Sequence, residues 1–236
     1  MKFLYITLLT VFFVGCQQKD LKVPVNDQPG LHEVWNNSPV YILLKKNGND
    51  TLADLKLGQT ISTTKWLVAV DKRLKLMHLL PALKKVIRKR RKKSMHSDGK
   101  GQMYFTYLDS LQNKISFVEF THLDIMPDYF QSKSYFDEYP KAEMNTEKWH
   151  VVLTPNLYRI NDSIVLPLNS SLKQLGQKLA ELDNQKVKGE KRQIYLNFDH
   201  RLSFDRFLNT FVYFKNHPLK NSQISSKIFI FTPNKS

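Results

Sequence analysis

Asp199, His200 and Asp205 come nearest, by type and spacing, to an acid–base cluster in this 236-residue chain. An imidazole between two carboxylates suits general acid–base chemistry, in which one group takes a proton and another returns it. The three stand where a strand pattern gives way to a helix pattern, and there polar residues also serve as turn formers and N-caps. The same turn occurs earlier: Asp71-Lys72-Arg73-Leu74 against Asp199-His200-Arg201-Leu202. The Asp recurs without the His, which favours a structural turn at Asp71 and Asp199. A non-enzymatic protein with no catalytic residues is therefore expected. An enzyme or carbohydrate-active protein with its site at Asp199, His200 and Asp205 is the alternative.

Other chemistry lacks its residues. The seven histidines (His32, His78, His96, His122, His150, His200 and His217) show neither His-x-x-x-His nor His-Glu-x-x-His spacing, so no metal site is expected. No Gly-x-Ser-x-Gly elbow, P-loop or Gly-x-Gly-x-x-Gly occurs, and eight glycines leave little for a phosphate-cradling loop. No cofactor is expected.

Charge points to an anionic partner. Lys and Arg number 36 against 21 acidic residues, a formal net charge of +15. Eight of those cations fall together: Lys84, Lys85, Arg88, Lys89, Arg90, Arg91, Lys92 and Lys93. At a helix C-terminus some of this charge complements the helix dipole, but eight cations exceed what capping needs. As a patch the run suits anionic headgroups, at about 1 kcal/mol per basic residue near a charged membrane. A solvated, frayed helix end is the plain alternative. Nucleic acid is not expected, because no aromatic residues interleave the run.

The single cysteine, Cys16, excludes an internal disulfide and has its own context. Lys2 precedes an apolar run over residues 3–14, too short to span a bilayer but suited to a secretory signal. Phe13-Val14-Gly15-Cys16 resembles a bacterial lipobox, with Phe in place of the usual Leu. That resemblance implies cleavage after residue 15 and acylation of Cys16, an anchor made stable by two or three acyl chains. Gln17 after the Cys resembles lipoproteins sent to an outer membrane, so an exported, lipid-anchored protein is expected there, on the periplasmic face or the cell surface. Residues 16–39, with Pro24, Pro29, Gly30 and Pro39, read as a tether. Asp50-Thr51-Leu52, Asp109-Ser110-Leu111 and Asp162-Ser163-Ile164 resemble an O-glycosylation sequon of Bacteroidota, making Thr51, Ser110 and Ser163 candidate glycan acceptors. Asp-Ser and Asp-Thr are also good turn formers.

The elements that must position these residues form two related units. In residues 192–214 a strand with Ile194, Leu196 and Phe198 on one face meets the Asp199 turn. Phe204, Phe207, Leu208, Phe211 and Val212 follow at helical spacing. Residues 65–87 repeat the plan with Trp66, Val68 and Val70 before Asp71, then Leu76, Leu79, Leu80 and Leu83. There Pro81 predicts a helix that starts near Leu80 or kinks. Residues 40–57 read as a hairpin turning at 47–50, and 103–108 with 115–120 as a second hairpin. Residues 124–148 have no period and are expected to be a linker packing by its aromatics. The last unit predicts a strand over 149–160, a turn at Asn161-Asp162, a strand over 163–168, a helix capped from Ser171, and a closing strand over 227–232. The expected fold is α+β, a two-layer sandwich with a β-β-α-β-α-β domain at 149–236, preceded by a degenerate copy at 40–123.

This order resembles the periplasmic domain of the ExbD/TolR biopolymer-transport family, carried by Asn161-Asp162, residues 172–182, 194–199, 204–212 and 228–231. Family members usually carry a Gly between the last helix and strand, where this chain has His217-Pro218-Leu219. They also hold a transmembrane helix with an Asp tied to the proton-motive force. Here no acidic residue precedes Asp20, so a motor role does not carry over. The resemblance implies an interaction or scaffold component, with an envelope transport assembly as one setting, that binds envelope proteins or peptidoglycan or forms a homodimer.

Overall fold

The computed structural model describes residues 20–48, 50–58, 60–92, 101–126, 130–140, 146–167, 170–185 and 192–233. Cys16, Lys93 and the signal and acylation segment lie outside the described residues. The first half runs β1 (Val25–Asn26), β2 (Asn37–Asn47), β3 (Asp50–Lys56), β4 (Lys65–Val70), α1 (Leu76–Arg91), β5 (Met103–Asp109), β6 (Lys114–Glu119) and β7 (Asp124–Ile125). The second runs α2 (Ser132–Glu138), β8 (Glu147–Leu153), β9 (Leu157–Ile160), β10 (Ile164–Pro167), α3 (Leu172–Asn184), β11 (Arg192–Asp199), α4 (Phe204–Asn216), β12 (Ser222–Ile224) and β13 (Lys227–Phe231).

The fold is α+β, with two mixed sheets that repeat one plan. In the first, β2, β4 and β5 are parallel, β3 lies antiparallel beside β2, and β6 antiparallel beside β5. In the second, β8, β11 and β13 are parallel and β9 lies antiparallel beside β8. So β2-β3-β4-α1-β5 and β8-β9-β11-α4-β13 are two passes of the same path. The second pass adds β10, antiparallel on the outer side of β9, and the helix α3.

Local sequence explains the helices. Ser171 and Gln174 form a reciprocal capping box on α3. Ser203 Oγ accepts from Arg206 N to cap α4. Helix α1 has no side-chain cap, and its start is fixed from the other copy. Leu76 N donates to Leu202 O (2.8 Å) and Met77 N to His200 O (2.8 Å). Reciprocally, Phe204 N donates to Leu74 O (2.7 Å) and Asp205 N to Lys72 O (3.3 Å). Each helix thus finds acceptors for otherwise orphaned first-turn N–H groups in the partner copy. This replaces the expected start near Leu80. Pro81 lies inside α1, and its missing bond falls on the exposed side, with Met77 and Pro81 both at the surface, where water can serve the freed carbonyl.

The two copies share one core. Phe207 of α4 meets Phe198 of β11 edge-on, with centroids 5.0 Å apart, while Phe204, Phe207 and Phe211 all approach Phe105 of β5. Phe105 in turn stacks on Phe120 at 3.7 Å.

Three expected segments are corrected. The tether does not hold from residue 20 onward. Lys72 N donates to Lys22 O, β1 pairs with β5, Leu31 bridges Phe117, and the Asn26 amide reaches Asn209 on α4. Residues 20–35, which include β1, therefore strap both copies, and the first hairpin begins at Asn37 rather than 40. The 124–148 linker contains β7, parallel to β13, and α2, which covers the far face of the second sheet. Phe136 packs there with Tyr195, Phe229 and Met126, residues pointing away from the main core. The expected strand over 149–160 breaks at Thr154, whose hydroxyl accepts from Asn156 N and Leu157 N, so β8 and β9 fold back on each other. The C-terminal order therefore gains two strands on the expected one, β9 from this break and the short β12 beside β11. Asn161 and Asp162 turn β9 into β10 with φ of 49° and 61°, values these two residues tolerate.

Candidate functional site

The two Asp-x-Arg turns are built alike. Asp71 accepts from Arg73 N (3.0 Å), Nε (2.8 Å) and Nη2 (2.6 Å). Asp199 accepts from Arg201 N (2.8 Å), Nε (2.9 Å) and Nη2 (2.6 Å). Both carboxylates are buried, at 1% and 0% exposed, while the guanidinium groups stay half in water. Burial alone would push the Asp71 carboxyl up, but the hydrogen bonds and charge of Arg73 outweigh it and hold the group below the ordinary carboxylate range.

The candidate catalytic residues do not converge. Asp199 is occupied by Arg201, while the His200 ring turns to Thr232 Oγ1 at 3.3 Å. Asp205 is half-buried, and burial pushes its carboxyl up against the opposing pull of Lys72 and a bond from Val25 N. Among the described residues no hydrogen bond joins the three. A different Ser–His pair does form, at Ser132 Oγ and His150 Nδ1, 2.7 Å apart. Ser132 is fully buried at the start of α2, and its N–H donates to Asn197 Oδ1 on β11. Burial also pushes the His150 imidazole down. That pair fastens α2 to the sheet and offers no access to a substrate.

The basic run divides on folding. Arg90 is only 4% exposed; its guanidinium donates to Ser62 O and Thr64 O, both at 2.6 Å, and lies over the Trp66 ring. Arg91 donates to Leu123 O at 2.7 Å and faces Asp124 at 3.4 Å, tying α1 to β7. Arg90 is thereby removed from the expected anionic-surface patch, and Arg91 is partly committed. Lys85, Arg88, Lys89 and Lys92 remain exposed and Lys84 half-exposed. Lys84, Arg88, Arg91 and Lys92 line a shallow cleft of about 540 Å³ whose one acidic wall residue is Asp124.

Of the candidate glycan acceptors, Ser163 is exposed at the β9–β10 turn and Ser110 in the turn after β5. Thr51 lies within β3 and is half-buried, not at the turn tip.

The sheet edges hold a feature the sequence did not mark. Among the described residues no strand pairs with the outer side of β3, whereas its counterpart β9 carries β10 there. Ala53 and Leu55 of β3 pack toward the core, while Leu52, on the opposite face, is 47% exposed beside Lys45. The edge becomes visible only when the two copies are laid over each other.

No protein-family model, curated protein or solved structure matches this chain. Among the described residues no helix is long and apolar enough to cross a membrane, and no three His, Cys, Asp or Glu side chains gather as metal ligands.

Proposed function

We propose that this chain is a non-enzymatic lipoprotein of the bacterial envelope, exported, acylated at Cys16 and held at the outer membrane. It works as an interaction or scaffold component, and its partner adds a strand to β3. The carrying observation is the difference between the copies. β9 is covered by the antiparallel strand β10, whereas among the described residues no strand pairs with the outer side of β3, its equivalent. An added strand gains main-chain hydrogen bonds along the edge and reads specificity through alternate side chains. Here those are Leu52 and Asp54 on one face and Thr51, Ala53 and Leu55 on the other. The resemblance of the C-terminal element order to ExbD/TolR domains supports an envelope setting, with an envelope protein as partner.

Site-specific photocrosslinking in intact cells tests this. Benzoylphenylalanine at Leu52 is expected to capture one discrete envelope protein, and the same group at Leu111 is not. A Leu52→Lys change with a second probe at Asp54 should abolish the capture. Crosslinks only to a second copy would replace the partner with a homodimer, and equal capture from Leu52 and Leu111 would defeat strand addition.

The cleft of Lys84, Arg88, Arg91 and Lys92 favours a second role, peripheral contact with anionic headgroups. Liposome association that falls with salt and with neutralisation of Lys84, Arg88 and Lys92 supports it. Association indifferent to both removes it.

A further inference from the structure

An opening in the described surface lies at the seam between the copies, a cavity of about 610 Å³. Phe120 comes from the first copy, Phe211 from α4, Leu219 from the segment after it, and Ile224 from β12. This volume is within the range of small-molecule sites, and the apolar side chains share the wall with Glu119, His122, Lys215, Ser222, Gln223, Ser225 and Ser226. The polar group that matters is Lys215. Lys215 is exposed at the cavity edge, and its ammonium donates to Glu119 O at 2.6 Å and lies 6.0 Å from the Phe211 ring centre. One of three N–H donors is thus used, and among the described residues the ammonium makes no ion pair. Partial burial pulls the Lys215 ammonium below the ordinary lysine range, against the opposing charge of Glu119. The nearest acid, Glu119, has its carboxylate engaged by the Thr121 hydroxyl at 2.7 Å.

We propose that this cavity is a binding site for a long-chain carboxylate, with the hydrocarbon tail on Phe120, Phe211, Leu219 and Ile224 and the carboxylate on Lys215 Nζ. A cavity with Phe120, Phe211, Leu219 and Ile224 on its wall and one cation at its edge matches a ligand that is apolar along its length and anionic at one end. A neutral apolar ligand would leave Lys215 without a counter-anion, and a polar anion would leave the aromatic wall wet. The site depends neither on acylation of Cys16 nor on strand addition at β3.

The test uses the full chain in phospholipid nanodiscs with a diazirine-bearing palmitate, and the matching diazirine-bearing hexadecanol as control. Crosslinks mapped by mass spectrometry are expected on residues 211–224 with the acid and to be much weaker with the alcohol. A charge-assisted hydrogen bond is worth enough that Lys215→Gln should lower labelling by the acid roughly tenfold and leave the alcohol unchanged. Leu219→Trp, at a half-exposed wall position, should fill the cavity and stop both. Thermal melting of each variant confirms that it folds. Unlabelled lysophosphatidylglycerol, whose anion is a phosphodiester, is expected to compete poorly, and competition equal to palmitate would overturn the carboxylate assignment. No labelling of residues 211–224, or equal labelling by acid and alcohol that ignores Lys215→Gln, overturns the proposal.

Discussion

Asp71 and Asp199 each carry a carboxylate into a place shut off from water, and each depends on an Arg two residues along the chain. Asp199→Ala would leave Arg201 and its N–H without their acceptor at the point where the copies exchange first-turn hydrogen bonds. Because the guanidinium can regain water, the expected cost is about 2 kcal/mol rather than that of a fully buried pair. Asp71→Ala should cost a similar amount, and the double variant should depart from additivity, since both turns support one interface. Urea midpoints measure all three. A protein of unchanged stability but altered activity on a carbohydrate would instead revive the acid–base role of Asp199. The pH dependence follows from the sign of the shift. The folded Asp71 carboxyl sits below its unfolded value, so its stabilisation is present above the ordinary carboxylate range and is lost as pH falls through the depressed folded value. Asp71→Asn should therefore flatten the acid limb of a stability–pH curve without changing the curve's alkaline side. At this scale legibility tracks distance in sequence. The Asp-x-Arg contact spans two residues and repeats, so the motif announces it. Arg90 looks like any other member of its basic run, because Ser62, Thr64 and Trp66, which define it, lie more than twenty residues away.

Elements with a strong period were readable and those held by tertiary contact were not. The stripes of α3 and α4 and the turn residues at 47–50 and 161–162 specify themselves. Helix α2 has no apolar period to announce it. It exists because Asn197 accepts from Ser132 N and because Phe136 meets Tyr195 and Phe229 across the sheet. The break between β8 and β9 hid inside a run that alternates well enough for one long strand, and the Thr154 hydroxyl decides it. Helix packing yields its own prediction at Gly176 of α3. A Cβ there would collide with the Tyr213 ring and hydroxyl on α4, so the glycine makes room for that side chain. Gly176→Ala would gain intrinsic helix propensity of about 1 kcal/mol and still be expected to destabilise, because overpacking costs about 1–3 kcal/mol. Pairing it with Tyr213→Phe should restore part of the loss, since the hydroxyl is among the atoms in the way. Thermal unfolding of the two single variants and the double variant checks the sign. A stabilised Gly176→Ala would mean that the Tyr213 ring moves aside at little cost.

For the molecule as a whole, the repeated motif revealed the duplication, and the intimacy of the two copies stayed hidden. The core that joins them is made of contacts such as Phe105 with Phe204 and Phe211, which no local pattern encodes. The packed strap over residues 20–35 was hidden for the same reason, and it changes how an acylated chain would sit. As a tether, residues 16–39 could let the domain range roughly 80 Å from its anchor at full extension. With Asp20 O held by Arg73 Nη2 at 3.1 Å and Lys22 O by Lys72 N, only four Cα steps separate Cys16 from the folded body, at most ~14 Å. If Cys16 is acylated as proposed, the end of the fold that carries Arg73 and Lys75 must ride on the membrane. Ile61, before β4, stands about 20 Å away at the opposite end of that strand. Cys16 is the only native cysteine, and acylation blocks it, so single fluorophores can be placed at Lys75→Cys or Ile61→Cys in the lipidated protein. Headgroup-attached nitroxide lipids should quench the Lys75 probe strongly and the Ile61 probe weakly. Equal, weak quenching at both sites in a protein that still sediments with vesicles would mean that the strap peels off and acts as a tether after all. Loss of vesicle association in a Cys16→Ser control separates that outcome from an anchor placed elsewhere.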